Sequence, residues 1–239
     1  MNVTTETAEQ ARHDRAIAER AARELEDASA EEIVRWAFEH VDGKIAVASN
    51  MQDAVLIDVV ANVKPDIEVV FLDTGYHFAE TLGVRDAVSL VYPQIRVVNF
   101  TPEHTVAEQD ATLGKDLFAD NPGECCRLRK VEPLAKGLAG YRAWITGIRR
   151  VESPTRANAP KVVYDEAFGL VKFNPIVTWS DEEFAEYATR NGVLVNPLVE
   201  EGYPSIGCAP CTRKPLPGSD PRSGRWAGFN KTECGLHQG

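Results

Sequence analysis

Five cysteines in 239 residues are the side chains most able to do chemistry, and their spacing sorts them into three groups. Cys125 and Cys126 are adjacent, and Cys208 and Cys211 bracket Ala209-Pro210. Cys234 stands alone in Glu233-Cys234-Gly235-Leu236-His237, on a stretch with little to bury. Two pairs of thiolates form a ligand set for zinc or for an iron–sulfur cluster. Adjacent cysteines converge poorly on one small tetrahedral ion, whereas the separated corners of a cubic cluster accommodate them. The cluster therefore leads, zinc follows, and four unliganded thiols come last. The fifth thiol is placed where a nucleophile on a mobile arm belongs. A reactive thiol has to be held as thiolate, which nearby cations favour. His237 and the arginines described next are candidates for this, while Glu233 opposes them unless turned outward.

Cations recur near these thiols. Lys130 follows Cys126 by four positions, so in a helix it shares that face and brings an ammonium to the thiolates. Arg149, Arg150 and Arg156 fall within eight positions after an apolar run, and Arg222 and Arg225 lie three apart in the tail. Guanidinium forks match phosphate and sulfate oxygens, so these groups read as an anion clamp. The plainer reading of each is a loop charge in water.

The elements that must position these residues alternate between strand and helix. Residues 8–41 read as two helices, the second opened by the capping box of Ser29 and Glu32. Strands follow at 45–48, 67–72, 95–100, 143–148 and 171–173. Helices are expected at 54–63 and near 78–90, with another opened by Thr101-Pro102 and a last one capped by Ser180 and Glu183 and ending at Asn191-Gly192. This alternation implies an α/β fold, a doubly wound and mostly parallel sheet wrapped by helices. Three parts of one domain are expected: an N-terminal helical lead-in (1–43), an α/β unit (44–202) and a loop-rich C-terminal tail (203–239).

Ligands of open parallel sheets bind beyond the carboxyl ends of the strands. Two stretches there attract notice. Ser49-Asn50-Met51-Gln52-Asp53 leads into a helix and can seat a phosphate, or Ser49 is simply an N-cap. Leu72-Asp73-Thr74-Gly75 is a polar strand end, or simply a tight turn.

Composition narrows the class. A formal charge of −10 argues against general nucleic-acid binding, and any anionic ligand must be met by locally gathered Arg and Lys. No apolar run approaches a membrane span and the first residues carry no apolar signal, so the cytoplasm is expected. Thiols stay reduced there, which favours metal or redox chemistry over a structural disulfide.

Taken together, Cys125-Cys126, Gly207-Cys208-Ala209-Pro210-Cys211-Thr212 and Lys231-Thr232-Glu233-Cys234-Gly235-Leu236-His237 resemble the assimilatory adenosine 5′-phosphosulfate (APS) reductases. The wider family includes the 3′-phosphoadenosine 5′-phosphosulfate (PAPS) reductases. The resemblance runs from about Lys44 to His237. It implies a Rossmann-like fold of the adenine-nucleotide α-hydrolase kind and one 4Fe-4S cluster on Cys125, Cys126, Cys208 and Cys211. It implies Cys234 as catalytic nucleophile, APS as substrate, and reduced thioredoxin as electron donor. Lys130, Arg156, Arg222 and Arg225 then look like phosphosulfate contacts and Ser49 like the phosphate-loop serine. Leu72, Asp73, Thr74, Gly75 and Gly147 lie where nucleotide is held, with His237 as a further contact. PAPS reductases generally share the tail motif but lack the four cysteines, which points to APS. The first loop departs from the Ser-Gly-Gly-x-Asp-Ser of related ATP pyrophosphatases, which argues against ATP as substrate. A PAPS reductase and a non-catalytic nucleotide-binding redox sensor stand as alternatives. The reading allows a homo-oligomer and includes neither nucleic acid nor membrane as partner.

Overall fold

The computed structural model describes residues 3–229, 231 and 233–236, with side chains from residue 8. Six strands form one sheet: β1 (Lys44–Ala48), β2 (Glu68–Leu72), β3 (Arg96–Phe100), β4 (Tyr141–Thr146), β5 (Val162–Asp165) and β6 (Leu170–Phe173). Their order is β3-β2-β1-β4-β6-β5. All neighbours are parallel except β5 and β6, which pair antiparallel. The chain builds outward from β1 through β2 to β3, then returns to the other side of β1 with β4. The point where this direction reverses opens a crevice between the carboxyl ends of β1 and β4, the usual ligand position in such sheets.

Alternate residues of each strand bury opposite faces. Val47, Val69, Phe71, Ile145 and Phe173 join the larger core, which takes in α2 (Ala30–His40) and α3 (Val55–Ala61). Ala46, Val70 and Trp144 face the other way, onto Leu134 and Leu138 of α8 (Glu132–Leu138). The Ser29–Glu32 capping box forms as expected, satisfying two backbone donors at the start of α2. Ahead of it, α1 (Val3–Glu24) lies along β5 and β6, and Arg142 of β4 donates to its buried Asp14 carboxylate.

Two expectations need correction. The helix expected at Thr101-Pro102 begins later, as α5 (Val106–Leu113), because Thr105 and Glu108 make the reciprocal capping box. The expected fifth strand is the sixth, and β5 before it is an antiparallel edge strand that carries no clear period-two pattern. Between α5 and β4 the chain is helical in short pieces: α6 (Leu117–Asp120), α7 (Pro122–Cys126), a π turn (Arg127–Val131) and α8. Two further helices are α4 (Ala79–Val91) and α9 (Asp181–Asn191), the latter closed by Gly192 in the left-handed region at φ 61°. A last one, α10 (Pro197–Glu200), precedes the tail. No described helix is long and apolar enough to cross a membrane.

Candidate active site

A cavity of about 440 Å³ occupies the crevice. That is within the usual range for a small-molecule site. Four stretches at or beyond strand ends build its walls: Ser49, Asn50, Gln52 and Asp53 after β1; Leu72, Thr74 and His77 at the end of β2; Thr146 to Arg149 with Val151 and Glu152 at the end of β4; and Ile176 beyond β6. The tail closes it with Pro204 to Cys208, Arg222, Arg225, Trp226, Glu233, Cys234 and Leu236. Of the expected substrate residues, Ser49, Leu72, Thr74, Lys130, Gly147, Arg156, Arg222 and Arg225 line this cavity, and so does Cys234. Asp73 and Gly75 are not among the lining residues. The Asp73 carboxylate caps the Gly75 N–H at 3.1 Å and pairs with Arg85 at 3.4 Å. His237 lies outside the described residues.

The first loop differs from a phosphate loop. Ser49 Oγ accepts the Met51 N–H at 3.1 Å, and Met51 sits fully buried in the core with φ 58°, so it packs inward. The start of α3 is met by the Asp53 carboxylate, which accepts the Val55 N–H at 3.0 Å. A negative group thus stands where an anion was expected. Burial pushes Asp53 up to about 6, with Glu152 adding to the effect against Val55 N–H and Arg149. The same loop is tied to the tail: Ile206 N–H donates to Gln52 Oε1 at 2.8 Å, and Gln52 Nε2 to the Pro204 carbonyl at 3.3 Å.

The arginine groups divide. Arg150 turns away and donates to the Ala159 carbonyl. Arg149 lines the cavity but is pinned to the start of α9, pairing with Asp181 at 2.8 Å and stacking 4.5 Å over Phe184. Arg156 and Arg222 both bind Glu233. Glu152 also holds Arg156, and its place four positions earlier in the sequence was a signal that could have revealed it. Arg225 is half-buried and bound to Ser205 Oγ at 3.2 Å, while its Nε, itself buried, has no hydrogen-bond partner among the described residues. Burial and neighbouring Arg222 push Arg225 down. For Lys130, burial pulls downward, but the facing sulfurs of Cys208, Cys234 and Cys126 outweigh it and hold the ammonium above its ordinary value. Glu233 shows the same contest in reverse: burial raises it, and Arg156 and Arg222 prevail, keeping it below the carboxylate range.

Beside the cavity, Cys125, Cys126, Cys208 and Cys211 line one small pocket with Tyr76, Arg129 and Lys130. The approach of Cys208 is fixed from several sides. Its Sγ lies 3.3 Å from Thr74 Oγ1, and the next residue, Ala209, donates its N–H to the Tyr76 carbonyl at 2.7 Å. Trp226 N–H donates to the Cys211 carbonyl at 3.0 Å, folding the tail back on the pair. All five cysteines are free thiols. Burial, then the neighbouring sulfurs, push Cys125 up to about 12 and contribute to raising Cys211 to about 11. Cys208 goes the other way, because Lys130 and the Thr74 hydroxyl outweigh its burial. Among the described residues no three of these or other ligating side chains are gathered tightly enough for a single metal ion. The Tyr76 hydroxyl, in the pocket wall, is buried without a partner among the described residues. Four spread thiols and an orphaned donor around one space suit a group larger than one ion.

Residues 44–214 match the phosphoadenosine phosphosulfate reductase domain. The chain belongs to this family. With it comes membership among oxidoreductases that act on a sulfur group. Its curated relatives include the adenosine 5′-phosphosulfate reductase of Mycolicibacterium smegmatis, 66% identical over 99% of this chain and 98% of that one. The protein of the same name from Mycobacterium tuberculosis is 60% identical over 93% and 94%. Among solved structures, the phosphoadenylyl-sulfate (PAPS) reductase of Candida auris, a phosphate complex, superimposes with a TM-score of 0.71 at 26% identity, covering 82% of this chain and 96% of that one. The FMN adenylyltransferase of Candida glabrata, at 13% identity and a TM-score of 0.56 over 86% of this chain and 74% of that one, shares the fold alone.

Proposed function

We propose that this chain reduces adenosine 5′-phosphosulfate to sulfite and AMP at the expense of reduced thioredoxin, by way of an S-sulfocysteine on Cys234. The observation that carries the reading is one cavity that holds the Cys234 thiol together with Lys130, Arg156, Arg222 and Arg225. A thiolate and a phosphosulfate repel each other, so the reaction needs cations that screen the approach and stabilise the departing phosphate. The relatives' names supply the nucleotide.

Two steps balance. The Cys234 thiolate attacks the sulfur of APS, the bond from that sulfur to the phosphate oxygen breaks, and AMP leaves with the electron pair. A thioredoxin thiolate then attacks Cys234 Sγ and expels sulfite, and its second thiol resolves the mixed disulfide. Thioredoxin is thereby oxidised by two electrons and Cys234 is restored. Cys125, Cys126, Cys208 and Cys211 would hold a 4Fe-4S cluster. When bound, it supplies negative charge that fixes the Lys130 ammonium. Lys130 and Arg225 face the leaving phosphate, and Leu72, Thr74 and Gly147 hold the nucleotide. We assign this chemistry to sulfate assimilation in the cytoplasm.

The test is anaerobic incubation with APS in the absence of reductant, followed by mass spectrometry. An adduct of one SO3 group on the Cys234 peptide is expected. In Cys234→Ser both the adduct and sulfite release are lost, while the visible absorption of the cluster persists. Absence of the adduct from the parent protein sinks the reading, and a kcat/KM favouring PAPS over APS replaces it with the sister activity.

A further inference from the structure

Glu233 precedes the Cys234 thiol by one residue, and five donors hold its carboxylate. Arg156 gives a fork, Nε to Oε1 and Nη2 to Oε2, each at 3.1 Å. Arg222 Nη2 reaches Oε2 at 3.1 Å. The Thr155 and Ser153 hydroxyls reach Oε1 at 3.1 and 3.5 Å. The three charged side chains are only 12 to 14% exposed. Planar guanidinium forks with added hydroxyls are the donor set that a pair of sulfate or phosphate oxygens requires. A carboxylate of the protein's own thus occupies an anion seat inside the cavity, on two cations that the function above assigns to substrate.

We propose that Glu233 is a positioning residue that ties the place of Cys234 to the occupancy of the Arg156–Arg222 pair. In the resting protein its carboxylate holds the tail down on the arginines. The sulfate–phosphate group of the substrate takes over those donors, Glu233 is released, and the freed tail carries Cys234 to the sulfur. One anion exchanges for another, so substrate entry leaves no arginine uncompensated at either stage. Adjacency in the chain makes the exchange and the thiol's movement a single event. This rests on the reading that Arg156 and Arg222 meet the substrate.

A Cys234→Ser background stops turnover and lets affinity be measured directly. There, Glu233→Gln removes the competing charge, and APS should bind about tenfold tighter. Glu233→Asp, which keeps the charge, should stay close to the parent. The tail itself is followed by trypsin cleavage after Lys231, read by mass spectrometry. Saturating APS, or inorganic sulfate alone, should speed cleavage severalfold in the parent and leave the already rapid cleavage of Glu233→Gln unchanged. Equal APS affinity in the Gln and parent proteins, with a tail that stays protected under saturating ligand, would overturn the proposal. Should no variant bind APS, the substrate reading fails and the sulfate arm decides alone: faster cleavage supports the exchange, unaltered cleavage overturns it.

Discussion

Thr74 Oγ1 lies 3.3 Å from Cys208 Sγ, joining the loop after β2 to a cysteine 134 residues later. The same hydroxyl accepts the Tyr76 N–H at 3.3 Å, so it orders the turn and the thiol pocket at once. Thr74→Val keeps the volume and removes both bonds. A buried bond of this kind is worth about 1 kcal/mol. With two of them lost, a melting temperature lower by about 4–8 °C is expected in a chain of this size. Visible absorption should also bleach faster in air, because Cys208 loses one of the groups that favour its thiolate. Unaltered bleaching would remove the hydroxyl from any role at the pocket.

Gly207 and Arg225 are in direct contact, and a side chain at Gly207 would have no room. A Cβ there would stand 2.0 Å from Arg225 Nη2 and 2.5 Å from its Cζ. To make room the guanidinium has to give up Ser205, which holds one end, and its place 4.8 Å over Trp226. Gly207→Ala therefore displaces the cation and leaves the sheet untouched. An APS affinity about tenfold weaker is expected, with a melting temperature within about 2 °C of the parent and unchanged iron content. Full affinity in this variant would mean that Arg225 does not meet the substrate.

Asp53 gives a pH dependence of stability with a definite sign. Its value rises from 3.8 in the unfolded chain to about 6 in the fold, because burial disfavours the charged form. Below about pH 4 both states carry the proton, and the group is neutral to stability. Between about 4 and 6 the unfolded chain ionises first and binds fewer protons, so stability falls as pH rises. Above about 7 the penalty is complete, at most about 3 kcal/mol. Asp53→Asn keeps an acceptor for the Val55 N–H and removes the titration. Chemical denaturation should show the Asn variant equal to the parent near pH 4 and more stable by pH 7. A pH-independent gap between them would refute the assignment.

Much of this was legible in the chain. Parallel strands buried on both faces announce themselves as short apolar runs, and capping boxes mark α2 and α9. Two pairs of cysteines and a lone thiol pointed to residues that the fold gathers, four around one small pocket and the fifth in the cavity. Other features left weaker marks. Strand β5 mixes buried and half-buried positions, and its Asp165 pairs across to Lys172 on β6, so no alternation betrays it. Thr101-Pro102 and Thr105-Glu108 compete as helix starts, and the box that satisfies two donors prevailed. Arg156 finds Glu233 across 77 positions. Charge pairs between loops follow no period, so only the folded chain brings them together.

The π turn at Arg127–Val131 sits between the cysteine pair and the core-facing half of the same helical run. A wide turn holds one residue more than regular winding needs. Deleting a residue would restore uniform winding, but each residue spans about 100° of rotation about the axis. Either Leu134 and Leu138 would swing off the sheet or Cys125 and Cys126 would swing off their pocket. Chain length here is thus a phase setting, and a shortened descendant would inherit either a loosened sheet face or a scattered thiol set.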